Sequence, residues 1–326
     1  SSMATPVVAG AAALVRQYLR ESEGISEPRS DLIRAVLING AEDLGTPDIP
    51  NPAEGWGQVD LQGSLYPSSG GQNQSVLYDY SRELLPGHAF LYTFDIDASQ
   101  GMDITLVWND REGSAVADQS AARLVNDLDL RATSPDGTVY IANQFSNGFS
   151  ISGGSEDRLN NVERVRLPSS TSGIWTVEVG HAGGTLQDYA IVLSGVATEL
   201  EQADLSVFEG SLSSSVESPL QGDTFLVEAA WKNQATADTG TYSIEVEDLT
   251  AGSMIHTSQR SSLGGGMLDS LSFPHSFSTT GLHVLELRLD SNSEVDELND
   301  ESIGIDNNRI LLHVIVSQIG VRLTPL

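Results

Sequence analysis

The spacing of apolar residues divides the chain into one helical part and two parts built from alternating strands. The run "MATPVVAGAAALVRQYLRE" is rich in alanine and leucine and ends near Gly24. A second run lies between Pro28 and Gly40, residue types that are usual at the two ends of a helix. Its apolar residues recur at the spacing of one helix face: Leu32, Ala35, Val36 and Ile38. Residues 1–66 are therefore predicted to form two helices and a turn-rich exit.

Residues 76–197 alternate between apolar and polar side chains with the period of a β-strand. The run "HAFLYTFDID" places its apolar side chains on one face: Phe90, Tyr92, Phe94 and Ile96. Similar runs follow, among them "MDITLVWND", "IWTVEVG" and "DYAIVLSG". Many short strands separated by turns predict a jelly-roll-like β-sandwich. A polar stretch at 68–75, "SSGGQNQS", is predicted to link it to the helices.

Residues 203–317 repeat this alternation after a short acidic joint, "TELEQ". The run "DTFLVEAAWKN" has Phe225, Val227, Ala229 and Trp231 on one face. The length and the number of strands fit an immunoglobulin-like sandwich. Three domains are therefore predicted, at 1–66, 76–197 and 203–317. The final run, "GVRLTPL", starts a new alternation, so we expect the natural chain to continue.

Charge and composition narrow the classes of partner. The formal net charge is −29, and Lys232 is the single lysine. Nucleic acid and anionic lipid both favour a basic face, so neither is an expected partner. The chain has no cysteine, which excludes disulfides and thiol chemistry. No run approaches the ~20 apolar residues that a membrane-spanning helix needs. An acidic surface suits high salt or calcium binding, and composition does not choose between them.

The run "SSMATPVVAG" carries the candidate chemistry. A serine at the start of a helix lies beside backbone N–H groups that have no helical partner and that favour a developing oxyanion. Pro6 is tolerated in the first turn because the hydrogen bond it cannot donate would be missing there anyway. Ser2 could instead be an ordinary helix N-cap in front of alanines that simply favour helix.

Ten residues in register decide between these interpretations. "SSMATPVVAG" resembles the nucleophile segment of subtilisin-like serine proteases, with Ser2 at the nucleophile and Ser1 where threonine is usual. "LIRAVLINGAEDLG" followed by "GWGQVDL" resembles the last helix and closing turn of the same domain. The resemblance implies a serine endopeptidase that acts through an acyl-enzyme on Ser2 and needs no cofactor for its chemistry. It also implies that the histidine, the aspartate and the oxyanion asparagine precede Ser1. We therefore expect this chain alone to be inactive.

The two sandwiches also resemble known modules. "LVNDLDLRATSPDGTVYIAN" and "NNVERVRLP" are similar to the β-sandwich that follows the catalytic domain in some subtilases. "ADLSV" and "GDTFLVEAAWKNQATADTG" resemble a CARDB-type, cell-adhesion-related module of immunoglobulin-like shape. The implied fold class is a C-terminal helical remnant of an α/β subtilisin-like domain followed by two all-β sandwiches. The resemblance further implies protein or peptide substrates, an extracellular location and cell-surface contact through 203–317.

Two acidic patterns raise the question of structural calcium. Asp127 and Asp129 fall on one strand face and repel each other unless something compensates them. Calcium is one candidate, and an ion pair with Arg131 on the same face, or a solvated face, is favoured over it. A second set has the offsets of an EF-hand loop but lacks its glycine and its helices: Asp290, Asn292, Glu294, Asp296 and Glu301. This set is interpreted as an acidic hairpin loop.

Two other functions remain open at this point. The chain could belong to a non-catalytic adhesion or surface protein that carries a decayed protease domain. It could also be part of a surface array of sandwiches in which the helices are a remnant. None of the six histidines has the sequence context of the family's general base: none falls in 1–66, and His283 and His313 fall in alternating strands, where they are interpreted as sandwich residues. An aspartate motif and a histidine motif upstream would identify an enzyme.

Overall fold

The computed structural model describes residues 2–45, 48–69, 72–96, 101–113, 123–195, 198–200, 202–208, 210–235, 237–295, 297 and 307–318. The chain divides into two compact units, Ser1–Leu200 and Glu201–Leu326. Most of the described secondary structure is antiparallel β-sheet, and helices occur only before residue 66 among the described residues.

Three helices form the N-terminal part of the first unit: α1 (Ala4–Glu21), α2 (Ser30–Asn39) and α3 (Leu61–Leu65). The predicted boundaries of the second helix are confirmed, because Pro28 precedes it and Gly40 is its C-cap. The exit is more ordered than the sequence predicts. Asp60 caps α3 by accepting a hydrogen bond from the Gln62 backbone N–H at 2.9 Å.

The rest of the first unit consists of strands. They are β1 (Ser68–Ser69), β2 (Gln72–Asn73), β3 (Val76–Asp79), β4 (Glu83–Leu84), β5 (Ala89–Ile96), β6 (Met102–Val107), β7 (Asp127–Thr133), β8 (Val139–Ile141), β9 (Phe145–Ser146), β10 (Phe149–Ser150), β11 (Val162–Leu167), β12 (Gly173–Gly183), β13 (Gln187–Asp188), β14 (Ala190–Ser194) and β15 (Thr198–Glu199). One sheet has the order β11-β6-β14-β3, and the other has the order β15-β5-β12-β7-β8.

These two sheets enclose one hydrophobic core, so the predicted sandwich is present. The predicted apolar face of β5 is confirmed, since Phe90, Tyr92, Phe94 and Ile96 all lie in this core. Strand β12 pairs antiparallel with β5, with Val177 opposite Tyr92. Alternate residues of β6 and β14 complete the core from the facing sheet: Ile104, Leu106, Ile191 and Leu193.

The helices pack directly on the outer face of the first sheet. A second hydrophobic cluster joins three valines of that sheet to the buried faces of α1 and α2: Val107, Val162 and Val192 with Val15, Leu19, Leu32, Ala35 and Val36. The sequence predicts separate domains at 1–66 and 76–197, joined by a linker. In the structure both segments belong to one compact unit, because the sheet between them buries apolar side chains on both faces.

The second unit is a separate sandwich. Its strands are β16 (Leu205–Ser206), β17 (Leu212–Ser214), β18 (Phe225–Asn233), β19 (Tyr242–Asp248), β20 (Ser253–Arg260), β21 (Leu268–His275), β22 (Gly281–Leu289) and β23 (Arg309–Val316). One sheet is centred on β18, which pairs with β16, β17 and β21. The other has the order β20-β19-β22-β23. The predicted alternation of β18 is confirmed, with Phe225, Val227, Ala229 and Trp231 in the core.

Two pairs of buried polar side chains lie in this second core. The Trp231 indole N–H donates to the Tyr242 hydroxyl at 2.8 Å. His283 is confirmed as a sandwich residue: it is buried, and its Nδ1 lies 2.6 Å from Asp248 Oδ2. Asp248 Oδ1 accepts the backbone N–H of Thr250 at 3.0 Å, which ties this pair to the β19–β20 turn.

A glycine pair tests the packing of the helical part. A Cβ on Gly40 would lie 2.2 Å from the Ser64 backbone nitrogen, so Gly40→Ala must push α3 away from α2. We expect it to destabilise the first unit by about 1–3 kcal/mol, the usual cost of overpacking. Gly10→Ala is the matched control, because its Cβ meets nothing within 4 Å inside α1. It should be neutral or stabilising by roughly 0.5–1 kcal/mol. Urea unfolding of the 326-residue chain measures both, and equal effects would contradict the packing described.

Candidate active site

Ser2 lies in an exposed turn at the start of α1. The N-cap position belongs to Met3, whose backbone is already helical and whose side chain makes no capping hydrogen bond. Ser2 therefore stands one residue before this cap position. Ser2 is thus exposed at the end of the helix where backbone N–H groups lack partners within the helix.

The first half of α1 is open on all sides. Residues 2–10 are all exposed, and they include Met3 at 85% and Val7 at 64% relative exposure. The buried face of the helix begins only at Ala11 and continues with Val15 and Leu19. The helix is thus anchored by its second half, and the half that carries Ser2 extends from the packed region.

The closing motif forms a tight turn against the segment that follows α2. Glu42 and Gln58 pair through both backbone hydrogen bonds, at 2.9 and 2.8 Å. Gly57 has a φ of 112°, and a Cβ there would lie 2.4 Å from the Glu42 carbonyl oxygen. Only glycine fits at this close approach. The structure thus brings "GAEDLG" and "GWGQVDL" together, as two parts of one folded segment.

Comparison with known proteins identifies this segment. Residues 1–57 match the subtilase family, Peptidase_S8. The predicted resemblance is confirmed for this part of the chain. A curated relative, the "Serine protease/ABC transporter B family protein tagA" of Dictyostelium discoideum, is 30% identical over 225 residues. That alignment covers 63% of this chain, and the chain spans 13% of the length of that relative.

Two solved structures are similar to part of the chain. One is the CARDB domain of the PF1109 protein from Pyrococcus furiosus in complex with di-metal ions, at 21% identity. The similarity covers 37% of this chain and 99% of that chain, with a TM-score of 0.32. The other is a domain of a "putative cell surface protein" from Methanosarcina acetivorans, at 19% identity, 35% and 92% coverage and a TM-score of 0.27. In the part of the chain that the structure describes, no helix combines the length and apolarity needed to cross a membrane.

The acidic pair Asp127 and Asp129 of the first sandwich lies next to an arginine, which reduces the repulsion between the two carboxylates. Asp127 Oδ2 lies 2.9 Å and Asp129 Oδ1 lies 2.5 Å from Nη1 of Arg158. The predicted ion pair exists, but Arg131 as its cation is wrong. Arg131 binds Glu156 at 2.5 Å and Glu178 at 3.2 Å instead. Arg158 comes from the loop before β11. The alternation of side chains along β7 could not predict it, because that pattern shows only which residues of the strand share a face.

Glu163 is a buried carboxyl group that the sequence did not single out. It is 1% exposed on β11, and its Oε2 accepts the Leu130 backbone N–H at 2.5 Å. Its Oε1 has no hydrogen-bond partner. Burial raises the pKa of Glu163 well above its usual range, and the nearby Asp129, Asp157 and Asp127 raise it further. Glu163 is therefore held as a neutral acid to a higher pH than an exposed glutamate.

The second acidic pattern is a backbone-bound loop where the structure describes it. Asp290 has a φ of 44°, and its carboxylate accepts the backbone N–H groups of Glu294 at 2.7 Å and Val295 at 3.1 Å. Asp296 and Glu301 lie outside the described residues. Among the residues that are described, no three acidic or histidine side chains are grouped so as to hold a metal ion.

The neutral state of Glu163 makes a prediction about pH. The folded-state pKa of Glu163 lies above the unfolded value of about 4.3. The contribution of Glu163 to the free energy of unfolding is therefore largest at low pH and is lost as the pH rises through the folded-state pKa. Glu163→Gln removes that loss, because the amide group does not ionise. We expect it to raise the melting temperature at pH 8 by about 2–4 °C, the shift that ~1 kcal/mol causes in a unit of this size.

Glu156→Gln is the matched control for this measurement. The hydrogen bond from Arg131 lowers the pKa of Glu156, so the same substitution should leave stability at pH 8 unchanged or slightly lower. Thermal unfolding of the wild type and both variants between pH 4.5 and 8.5 decides the matter. A lower melting temperature for Glu163→Gln at pH 8 would show that the carboxylate is ionised and compensated.

Proposed function

We propose that residues 1–66 complete the catalytic domain of a serine endopeptidase and that Ser2 is its nucleophile. One observation carries this proposal: the segment that matches the subtilase family has its serine exposed at the start of a helix, where backbone N–H groups lack partners within the helix. A general base, its orienting acid and an oxyanion donor complete such a centre. We expect them in the sequence that precedes Ser1.

In the proposed reaction, Ser2 Oγ attacks the carbonyl carbon of a peptide bond while the base accepts the hydroxyl proton. The tetrahedral oxyanion collapses, the C–N bond breaks, and the amine leaves with that proton. Water then attacks the acyl-enzyme ester, which releases the acid and restores the hydroxyl. No step requires a metal or an organic cofactor.

The proposed setting follows the same resemblance. We propose an extracellular protein with protein or peptide substrates, in which the second unit contacts a cell surface or matrix. The net charge of −29 supports a partner other than nucleic acid or anionic lipid. Structural calcium is not part of the proposal for Asp127 and Asp129, because Arg158 forms an ion pair with each of them.

A second candidate is a surface protein whose protease centre has decayed. The intact "SSMATP" run favours the enzyme. An upstream sequence without the aspartate and histidine motifs would favour the second candidate.

The nucleophile is tested in the longest form of the protein that hydrolyses casein. Ser2→Ala should reduce kcat by at least ~10³-fold, since removing a triad member leaves only residual catalysis. Ser22→Ala is the matched control, because Ser22 is an exposed serine at the other end of α1. It should leave kcat unchanged. The 326-residue chain alone should be inactive, and turnover by it that Ser2→Ala abolishes would refute this expectation.

A further inference from the structure

The sheet β11-β6-β14-β3 is buried on both faces. Its inner face closes the core of the first sandwich, as described above. Its outer face carries four side chains that are at most 4% exposed: Val107, Val162, Ala190 and Val192. An antiparallel sheet commonly shows a polar outer face to water. Here α1 and α2 cover that face, so the helices and the sandwich stabilise each other.

A buried arginine connects this sheet to the end of α2. Arg164 on β11 is 0% exposed, and its Nη2 donates to the Asn39 carbonyl oxygen at 2.8 Å. The same guanidinium group binds Asp103 on β6, through Nε at 2.7 Å and Nη2 at 3.0 Å. One side chain of the sandwich therefore holds the last helical residue of α2 and an acid of the neighbouring strand.

The Asn39 side chain fixes the same helix end to two more positions. Its Nδ2 donates to Ser194 Oγ on β14, and its Oδ1 accepts from Thr105 Oγ1 on β6, both at 3.0 Å. The last carbonyl groups of a helix lack helical partners and form the negative end of its dipole, so a guanidinium group is well matched to them. The planar fork of arginine allows it to serve this carbonyl and Asp103 at once.

The same contacts extend to the helix that carries Ser2. Val15 and Leu19 of α1 lie in one cluster with Leu32 and Val36 of α2. Because α1 is one continuous helix over Ala4–Glu21, the direction of its first turn follows that of the packed second half. The orientation of the Ser2 hydroxyl group therefore depends on where α2 sits on the sheet.

We propose that Arg164 is a positioning residue for Ser2. It fixes the end of α2 on the sandwich, and α2 fixes α1. The sandwich is then a working part of the peptidase instead of an appended module. This inference rests on the proposed function. An arginine that merely stabilised the unit would change the amount of folded enzyme and leave the folded enzyme unaltered.

Arg164→Lys tests the proposal without removing the charge. Lysine presents one ammonium group, which can bind Asp103 or the Asn39 carbonyl but cannot match both with a fork. Arg166→Met is the matched control. Arg166 points to the same face two residues further along β11 and pairs with Asp103 at 3.3 Å, but it makes no described contact with the α2 backbone.

The readout is turnover per reactive serine in the longest active form of the protein. A fluorophosphonate that labels Ser2 gives the concentration of competent centres. We expect Arg164→Lys to lower kcat per labelled centre about tenfold with KM within about twofold, because small displacements of a nucleophile are costly. Arg166→Met should keep kcat per centre within about twofold of the wild type. Fewer labelled centres with unchanged kcat per centre would overturn the proposal.

Hydrogen exchange provides a readout that needs no activity. In Arg164→Lys, backbone amides of α1 should exchange about tenfold faster than in the wild type, while those of β12 keep their protection. Arg166→Met should change neither. An equal increase of the exchange rate in α1 and β12, or no increase in α1, would overturn the coupling between Arg164 and α1. If the fluorophosphonate fails to label wild-type Ser2, the proposed function falls, and the exchange result still decides whether Arg164 holds the helix.

Discussion

The first unit depends on one constraint: the sheet β11-β6-β14-β3, which lies between the second sheet and the helices, carries apolar side chains on both of its faces. Water cannot cover either face without a large free-energy cost, so one face requires the second sheet and the other requires the helices. Polar groups on the helix-covered face must then find partners inside the interface between this sheet and the helices. Arg164 finds two such partners there, Asp103 and the Asn39 carbonyl oxygen. The segment that matches the subtilase family and the first sandwich are consequently parts of one compact unit.

The sequence predicted the elements well and their assembly less well. Helix ends at Pro28 and Gly40 and the strand faces of β5 and β18 follow from local periodicity, which is a property of the residues themselves. The continuous burial of β14 was already present in "DYAIVLSG", where Ala190, Val192 and Leu193 leave no polar face. A strand that is apolar on both sides indicates a packed layer on each side. From that pattern one could have predicted that the helices pack directly on the sandwich, in place of two separate domains joined by a linker.

The candidate site shows the same division. Ser2 and its helix could be located from a short motif, because the chemistry and the local backbone reside in neighbouring residues. The partners of the acidic groups could not, since Arg158 reaches Asp127 and Asp129 from a distant loop. Glu163 was hidden for another reason: "NNVERVRLP" alternates charge and valine, and nothing in it tells which charged side chains face inward. Long-range pairing decides those cases.

The packed interface between the helices and the first sandwich limits how such a chain can be recombined, in evolution or by protein engineering. A recombination point at 68–75, which composition alone would suggest, would cut through one interior and leave two halves with exposed valines. A crossover near Leu200 would instead pass between the two compact units. A C-terminal module could therefore be exchanged behind that point without dividing a hydrophobic core, while the first sandwich would have to be inherited together with the helices packed on it.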